Sequence, residues 1–134
     1  MISFHANLSP TIATTNAQTI VFDHVTTNLG GAYNGTTGVF TAPVAGQYYF
    51  SLTFMLNNPS SDYSYFGKLD VIKNRNIVIL VRADANPETG HFATASGATI
   101  IGLIKGDKVS VEANSAQMII IGGEYTYFSG FMLG

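Results

Sequence analysis

Residues 22–50 read FDHVTTNLGGAYNGTTGVFTAPVAGQYYF, and this stretch decides the fold of the chain. Its aromatic residues recur at uneven intervals, and glycine, asparagine and proline interrupt them. An amphipathic helix needs apolar residues roughly every three to four positions, and this stretch lacks that period. Short runs of strand-forming residues between turn-forming residues are typical of a β-sandwich. The stretch therefore predicts a sandwich frame, and it contains no catalytic motif.

The rest of the chain continues the pattern of short strands and tight turns. We predict strands over residues 2–6, 19–24, 38–40, 46–55, 63–72, 76–82, 99–104, 108–113 and 125–133. The segments KNRN (73–76) and KGD (105–107) have the composition of tight hairpin turns. About eight to ten short strands separated by turn signals indicate a single all-β domain.

Composition narrows the class of function. The chain has 134 residues, of which 10% are charged, whereas a typical soluble domain carries about 25%. A surface so poor in charge is typical of a protein that covers part of itself with copies of itself. The net charge of −2 argues against nucleic-acid binding, which needs a basic footprint. No apolar run approaches the roughly 18 residues of a membrane helix, so we expect no membrane insertion.

Catalytic motifs are absent from the sequence. The histidines His5, His24 and His91 are far apart, and there is no HExxH, GxSxG, Walker or GxGxxG motif. The chain has no cysteine, which excludes disulfides, thiol catalysis and cysteine-bound zinc. We therefore expect a protein that is not an enzyme and that requires no cofactor.

One acidic cluster has the spacing of a possible calcium site. Asp84, Asn86 and Glu88 stand at alternate positions in ADANPETGH, and Ca²⁺ prefers carboxylate and amide oxygens. The full calcium-loop signature is missing, so a solvated loop is the alternative and favoured interpretation.

Two predicted strands carry aromatic residues on both faces. Period-two alternation in GQYYFSLTF puts Tyr48, Phe50 and Leu52 on one face and Tyr49, Ser51 and Thr53 on the other. Because a solvated sheet face should be polar, we expect the second face to be buried against another subunit. The predicted interface residues are Tyr49, Ser51, Tyr127, Phe131 and Leu133. The alternative is that a loop of the same chain covers these tyrosines.

The opening stretch resembles the signature of the globular head of complement component 1q, within the tumour necrosis factor-like superfamily. The matching positions are Phe22, Asn28, Tyr33, Phe40, Gly46, Tyr48 and Phe50. Leu52 replaces the last expected aromatic residue. The flanking segments ISFHA, GLIKGDKVSVEA and YFSGFML extend the resemblance over nearly the whole chain.

The resemblance implies a ten-stranded jelly-roll sandwich of two antiparallel sheets, with residues 1–134 forming a single head and no collagen stalk in this chain. It also implies a homotrimer with Tyr49 and Tyr127 near the threefold axis. Calcium near the apex of the trimer is a further implication, and Asp84, Asn86 and Glu88 are the candidates nearest to the family's expected position.

The function that the resemblance implies is recognition, and we expect a secreted lectin of innate immunity that binds microbial or cell-surface glycans. The start, MISFHANLSP, has no signal-peptide pattern. Tyrosine and amide side chains in loops suit polar surfaces, and the candidate ligand residues are Asp62, Tyr63, Tyr65 and His91. An ordinary exposed loop is the alternative for each of them. A structural trimerisation head of a fibre or matrix protein, or a cytokine-like receptor ligand, is the alternative function.

Overall fold

The structure is a computed structural model that describes residues 1–59, 65–86, 91–115 and 117–134, with every side chain in those ranges except that of Tyr65. Its regular structure in these ranges consists of strands alone. The strands are β1 Ser3–Leu8, β2 Ile12–Ala13, β3 Gln18–Thr19, β4 His24–Leu29, β5 Tyr33–Asn34, β6 Val39–Thr41, β7 Gly46–Asn57, β8 Tyr65–Lys73, β9 Asn76–Ala85, β10 Phe92–Leu103, β11 Lys108–Ala113, β12 Ile119–Ile120 and β13 Gly123–Met132. In this part of the chain no helix is long and apolar enough to cross a membrane.

The strands form two antiparallel sheets. In the first sheet β4, β1, β13, β7 and β10 lie side by side, and β12 and β2 extend it beyond one end of β13. In the second sheet the order is β5, β6, β11, β8 and β9, and β3 also pairs with β11. This architecture confirms the predicted all-β jelly roll. The observed strands outnumber the ten expected because several of them are only two residues long.

Aromatic rings from both sheets fill the core. The ring of Phe4 stacks on Tyr33 with centroids 4.7 Å apart and meets the edge of Phe128 at 5.2 Å. Phe40 and Phe50 meet at 5.1 Å with nearly perpendicular rings. Such offset and edge-to-face pairs are the favoured arrangements of buried rings. Tyr48, Phe50 and Leu52 are all fully buried, so their predicted inward orientation is confirmed.

The prediction of one strand over residues 19–24 was wrong. Strand β3 ends at Thr19 and β4 begins at His24, although Ile20 and Phe22 between them are fully buried. The backbone of Phe22 is bonded by the hydroxyl of Tyr33, at 3.1 Å and 3.0 Å, instead of by a neighbouring strand. A β-branched and aromatic composition therefore signalled burial here, and not sheet pairing.

Strand β10 begins at Phe92, whereas residues 99–104 were the predicted strand. Its first half is rich in alanine, glycine and serine, which carry little strand signal. The close approach of β9 accounts for the glycine at position 97. A Cβ atom at Gly97 would lie 2.6 Å from Cγ2 of Val81, so the edges of the two sheets meet where β10 has no side chain.

Candidate functional site

The five predicted interface residues lie together on one surface. We call this surface the outer face: the side of β1, β13, β7 and β10 that points away from the core. Phe131 pairs with Tyr49 in the β7–β13 register, and Ser129 pairs with Ser51. The rings of Tyr49 and Phe131 are 5.2 Å apart. Tyr127 and Leu133 lie on the same side of β13 and its continuation, because side chains alternate along a strand.

The outer-face side chains named below include no aspartate, glutamate, lysine or arginine. Its outward side chains include Ser3 and His5 from β1, Tyr127, Ser129 and Phe131 from β13, Gln47, Tyr49, Ser51, Thr53 and Met55 from β7, and Thr94, Ser96, Ala98 and Ile100 from β10. Phe131 and Ile100 flank Tyr49 in adjacent strands, and they are 42% and 57% exposed. An aromatic and aliphatic centre is therefore open to solvent in the single subunit.

Polar side chains on the outer face bond to one another. The Nδ1 atom of His5 lies 2.5 Å from Oγ of Ser129, and its ring is 5.3 Å from that of Tyr127. Thr53 and Ser96 share a hydroxyl hydrogen bond of 2.8 Å across the β7–β10 pair. Because these groups already have partners, covering them removes less hydration free energy than covering unpaired polar groups.

Most contributors to the outer face were not among the predicted interface residues, and Ile100 and His5 are two of them. Ile100 lies beside Tyr49 on β10, and His5 lies beside Ser129 on β1. In TIIGL (99–103), period-two alternation places Ile100 on the opposite face from Ile101, and this was the sequence signal that could have identified Ile100. His5 follows the same alternation in SFHANL but has no apolar character to distinguish it.

The structure describes few of the predicted ligand residues. Asp62 and Tyr63 lie outside the described residues, as does the side chain of Tyr65, whose backbone pairs with Ala85. His91 is described, and its ring Nδ1 lies 2.9 Å from the carbonyl oxygen of Asn58. Their role as ligand residues remains a prediction.

Asn58 organises one end of the sandwich, and sequence reasoning missed it. The residue is fully buried, and its backbone N–H donates to the carbonyl of His91 at 2.6 Å. Its side-chain amide donates to the carbonyl of Ala85 at 3.3 Å. The end of β7 is thereby joined to the end of β9 and to the start of β10. Nothing in NNPS (57–60) distinguishes this asparagine from its neighbour Asn57.

The first residue of the predicted calcium cluster, Asp84, lies in a strand and not in a loop. Asp84 lies within β9, where its carboxylate accepts hydrogen bonds from Arg82 at 3.0 Å and 3.2 Å. The guanidinium of Arg82 in turn covers the ring of Phe66 at 3.7 Å. Asn86 is exposed, and Glu88 is outside the described residues. Within residues 1–59, 65–86, 91–115 and 117–134, no three histidine, aspartate or glutamate side chains could hold a metal together.

The two antiparallel sheets define the class of protein, an all-β jelly-roll domain. The model of the C1q domain family matches residues 3–133, and the chain belongs to that family. The predicted resemblance is thereby confirmed. Proteins of this family are in general not enzymes.

The alignments with similar proteins cover nearly the whole chain. The heavy metal-binding protein HIP of Mytilus edulis is 33% identical over 135 aligned residues, which cover 98% of this chain and 60% of that protein. Complement C1q tumor necrosis factor-related protein 3 of Mus musculus is 27% identical, with coverage of 98% and 51%. The chain therefore spans about half to three-fifths of the length of these relatives. The globular domain of zebrafish complement 1qA has a TM-score of 0.75 at 21% identity, covering 100% of this chain and 98% of that one, which establishes a shared fold.

Proposed function

We propose that this chain is the head of a secreted, non-enzymatic homotrimer that recognises glycans or other repetitive surface ligands. The outer face is the observation that carries the proposal. A sheet that faces water should be polar on that side, yet Phe131, Tyr49 and Ile100 form an apolar centre there. Interface centres are depleted in charge and enriched in aromatic residues, which is the composition of this face.

The occupant of the outer face in our proposal is a second and a third copy of the same chain. The resemblance to the complement 1q and tumour necrosis factor-like families implies a trimer, and Tyr49 and Tyr127 would lie near its axis. Membership of the C1q family supports this assignment. A loop of the same chain is the competing occupant, but Phe131 and Ile100 remain exposed among the residues that the structure describes.

Trimeric assembly supplies the recognition mechanism that we propose. A single shallow site on a weakly charged head binds weakly, whereas three sites on one rigid body gain effective concentration against a repetitive surface. The end of the sandwich that Asn58 organises presents His91, and we propose that it also presents Asp62, Tyr63 and Tyr65 to the ligand.

Calcium is a conditional part of the proposal. Asp84, Asn86 and Glu88 supply oxygen atoms of the type that Ca²⁺ prefers, but the pairing of Asp84 with Arg82 competes for its carboxylate. Isothermal titration with Ca²⁺ would test this assignment, with Glu88→Gln as the variant and Glu124→Gln as the control of equal charge. Loss of Ca²⁺ binding in Glu88→Gln alone would support the site, and absence of binding to the unaltered protein would contradict it.

Sedimentation equilibrium and a glycan array together test the function. We expect a trimer at micromolar concentration and binding to at least one microbial or cell-surface glycan, measured with and without chelator. A monomer at that concentration would contradict the assignment of the outer face. A trimer that binds no glycan would instead favour a structural trimerisation head or a receptor ligand.

A further inference from the structure

The basic residues of the chain are concentrated at one end of the sandwich. Lys73 and Arg75 belong to the β8–β9 turn, and Lys105 and Lys108 belong to the β10–β11 turn. Asn74 joins the two turns, because its N–H donates to the carbonyl of Lys108 at 2.7 Å and its side chain accepts the Lys108 N–H at 3.0 Å. Four of the six lysine and arginine residues therefore lie close together in space.

The single carboxylate in these two turns is turned toward the protein. Asp107 accepts hydrogen bonds from the Ile104 N–H at 3.0 Å and from the Asn74 amide at 3.4 Å. Asp107 also pairs with the charged amine of Lys73, with 3.8 Å between Lys73 Nζ and Asp107 Oδ2. Lys105 and Lys108 have no carboxylate within ion-pair distance in the part of the chain that the structure describes.

These two unpaired cations flank a groove of about 650 Å³. One wall is the Gly30–Gly31 turn, and the other is the turn that contains Lys105 and Gly106. The amine of Lys108 is held at the groove by a hydrogen bond of 3.3 Å to Oγ1 of Thr41. The volume lies in the range of small-ligand sites, roughly 300–1,000 Å³, and none of the lining residues is acidic.

The lining combines apolar, hydroxyl and amide groups. Ala32, Val39 and Pro43 supply apolar surface, while Thr37 and Asn34 supply polar groups at the rim. Sugars present C–H faces and hydroxyl groups side by side, which suits such a mixed surface. A lysine amine donates charge-assisted hydrogen bonds to anionic oxygens.

We propose that this groove binds an acidic sugar residue of a glycan, a uronate or a sulfated sugar, through Lys105 and Lys108. The inference rests on the proposed glycan recognition and names its ligand class and a second location for it. Leu103 pairs with Gly46 at this end of the β7–β10 ladder, whereas Asn57 and Phe92 pair at the other. The groove is therefore at the opposite end from His91. Its lining residues lie outside the outer face.

Titration calorimetry of the full chain with defined probes tests the groove. The probes are a galacturonate tetrasaccharide, a sulfated heparin tetrasaccharide, neutral maltotetraose and inorganic phosphate. The variant is Lys105→Gln with Lys108→Gln, and Lys105→Gln alone is measured beside it. The matched control Arg75→Gln removes the same charge as Lys105→Gln alone and lies outside the groove. Circular dichroism verifies that all three variants are folded.

We expect at least one of the two acidic tetrasaccharides to bind. Comparing the affinities of the galacturonate and heparin probes distinguishes recognition of a carboxylate from recognition of a sulfate. The double lysine variant should bind the acidic probe about tenfold or more weakly, because two charge-assisted hydrogen bonds are lost. The arginine control should stay within about twofold. Maltotetraose and phosphate should bind at least about tenfold more weakly than the acidic probe.

Several results would overturn the groove assignment. Equal weakening in the arginine control and in Lys105→Gln alone would show a diffuse charge effect, and equal binding of phosphate would show a site for free anions. Acidic glycan binding that survives the lysine substitutions would overturn the groove while leaving glycan recognition intact. Absence of binding to every saccharide, on the probes and on the array, would contradict both proposals.

Discussion

The hydroxyl of Tyr33 makes both backbone hydrogen bonds of Phe22: it accepts the Phe22 N–H at 3.1 Å and donates to the Phe22 carbonyl at 3.0 Å. One side chain thus replaces a neighbouring strand for a buried stretch of backbone. The two residues are eleven positions apart in the opening stretch, and both are buried. The aromatic residues of that stretch therefore support the backbone as well as filling the core.

Replacement of Tyr33 by phenylalanine should be strongly destabilising. The variant keeps the ring but leaves a buried N–H and a buried carbonyl of Phe22 without partners, at a cost of about 2–4 kcal/mol in the free energy of unfolding. Urea denaturation measures this change. Tyr125→Phe, at a tyrosine that is 58% exposed, is the control and should change stability by less than about 0.5 kcal/mol. Equal stability of the two variants would contradict the role of the hydroxyl.

The free energy of unfolding should fall at alkaline pH because the buried Tyr33 hydroxyl ionises there. Burial raises the pKa of Tyr33 to about 12. The hydrogen bond between the Tyr33 hydroxyl and the Phe22 backbone lowers this pKa, and the nearby Asp23 carboxylate raises it. The unfolded tyrosine ionises near pH 10, so the stabilisation is complete below about pH 10 and is lost as pH rises toward 12. Urea midpoints at pH 8, 10 and 11 should fall more steeply for the wild type than for Tyr33→Phe. Parallel pH profiles would contradict this assignment.

A charge introduced into the outer face should prevent assembly. Phe131→Glu places a carboxylate opposite Tyr49, where the proposed trimer would bury it without a partner. The association constant should fall by at least about a hundredfold, because an unpaired buried charge costs several kcal/mol. Sedimentation velocity measures the change. Leu80→Glu changes a residue that is 58% exposed on the second sheet and should leave the trimer intact. Dissociation by both variants, or by neither, would contradict the assignment.

Gly38 should tolerate alanine much less well than Gly123. Both glycines have positive φ, 78° and 89°, so the backbone strain of a side chain is similar at the two positions. A Cβ atom at Gly38 would also lie 2.6 Å from the carbonyl oxygen of Ile20, whereas the space beside Gly123 is open. Gly38→Ala should therefore lower the free energy of unfolding by at least about 1 kcal/mol more than Gly123→Ala, which thermal or urea denaturation measures. Equal losses would show that the contact relaxes without cost.

Most of the first-order features of the fold could be predicted from local sequence. Alternation in β7 identified Tyr48, Phe50 and Leu52 as core residues, because a strand places successive side chains on opposite faces. The turns at 73–76 and 105–107 followed from their composition. The strand predicted over residues 19–24 failed because burial and strand pairing have the same composition signal. The start of β10 was missed because Gly97 is required by a partner that is distant in sequence, Val81.

The candidate sites were less predictable than the fold. Alternation alone identified Tyr49 and Phe131 as facing away from the core, but only the pairing register placed them side by side. The groove between Gly30 and Lys105 joins turns that are far apart in the chain, so no sequence window contains it. Asn58 became recognisable only through its contacts with Ala85 and His91.

By itself, the sequence determined the class of fold, the family and the two-sided character of the central strands, because these depend on spacing and composition along one segment. Tertiary structure decided which residues meet across strands: the pairing of Phe131 with Tyr49, the bonding of Phe22 by Tyr33, and the gathering of unpaired lysines beside a groove. The physical reason is that strand register and turn proximity depend on contacts between distant segments, and no local pattern specifies those contacts.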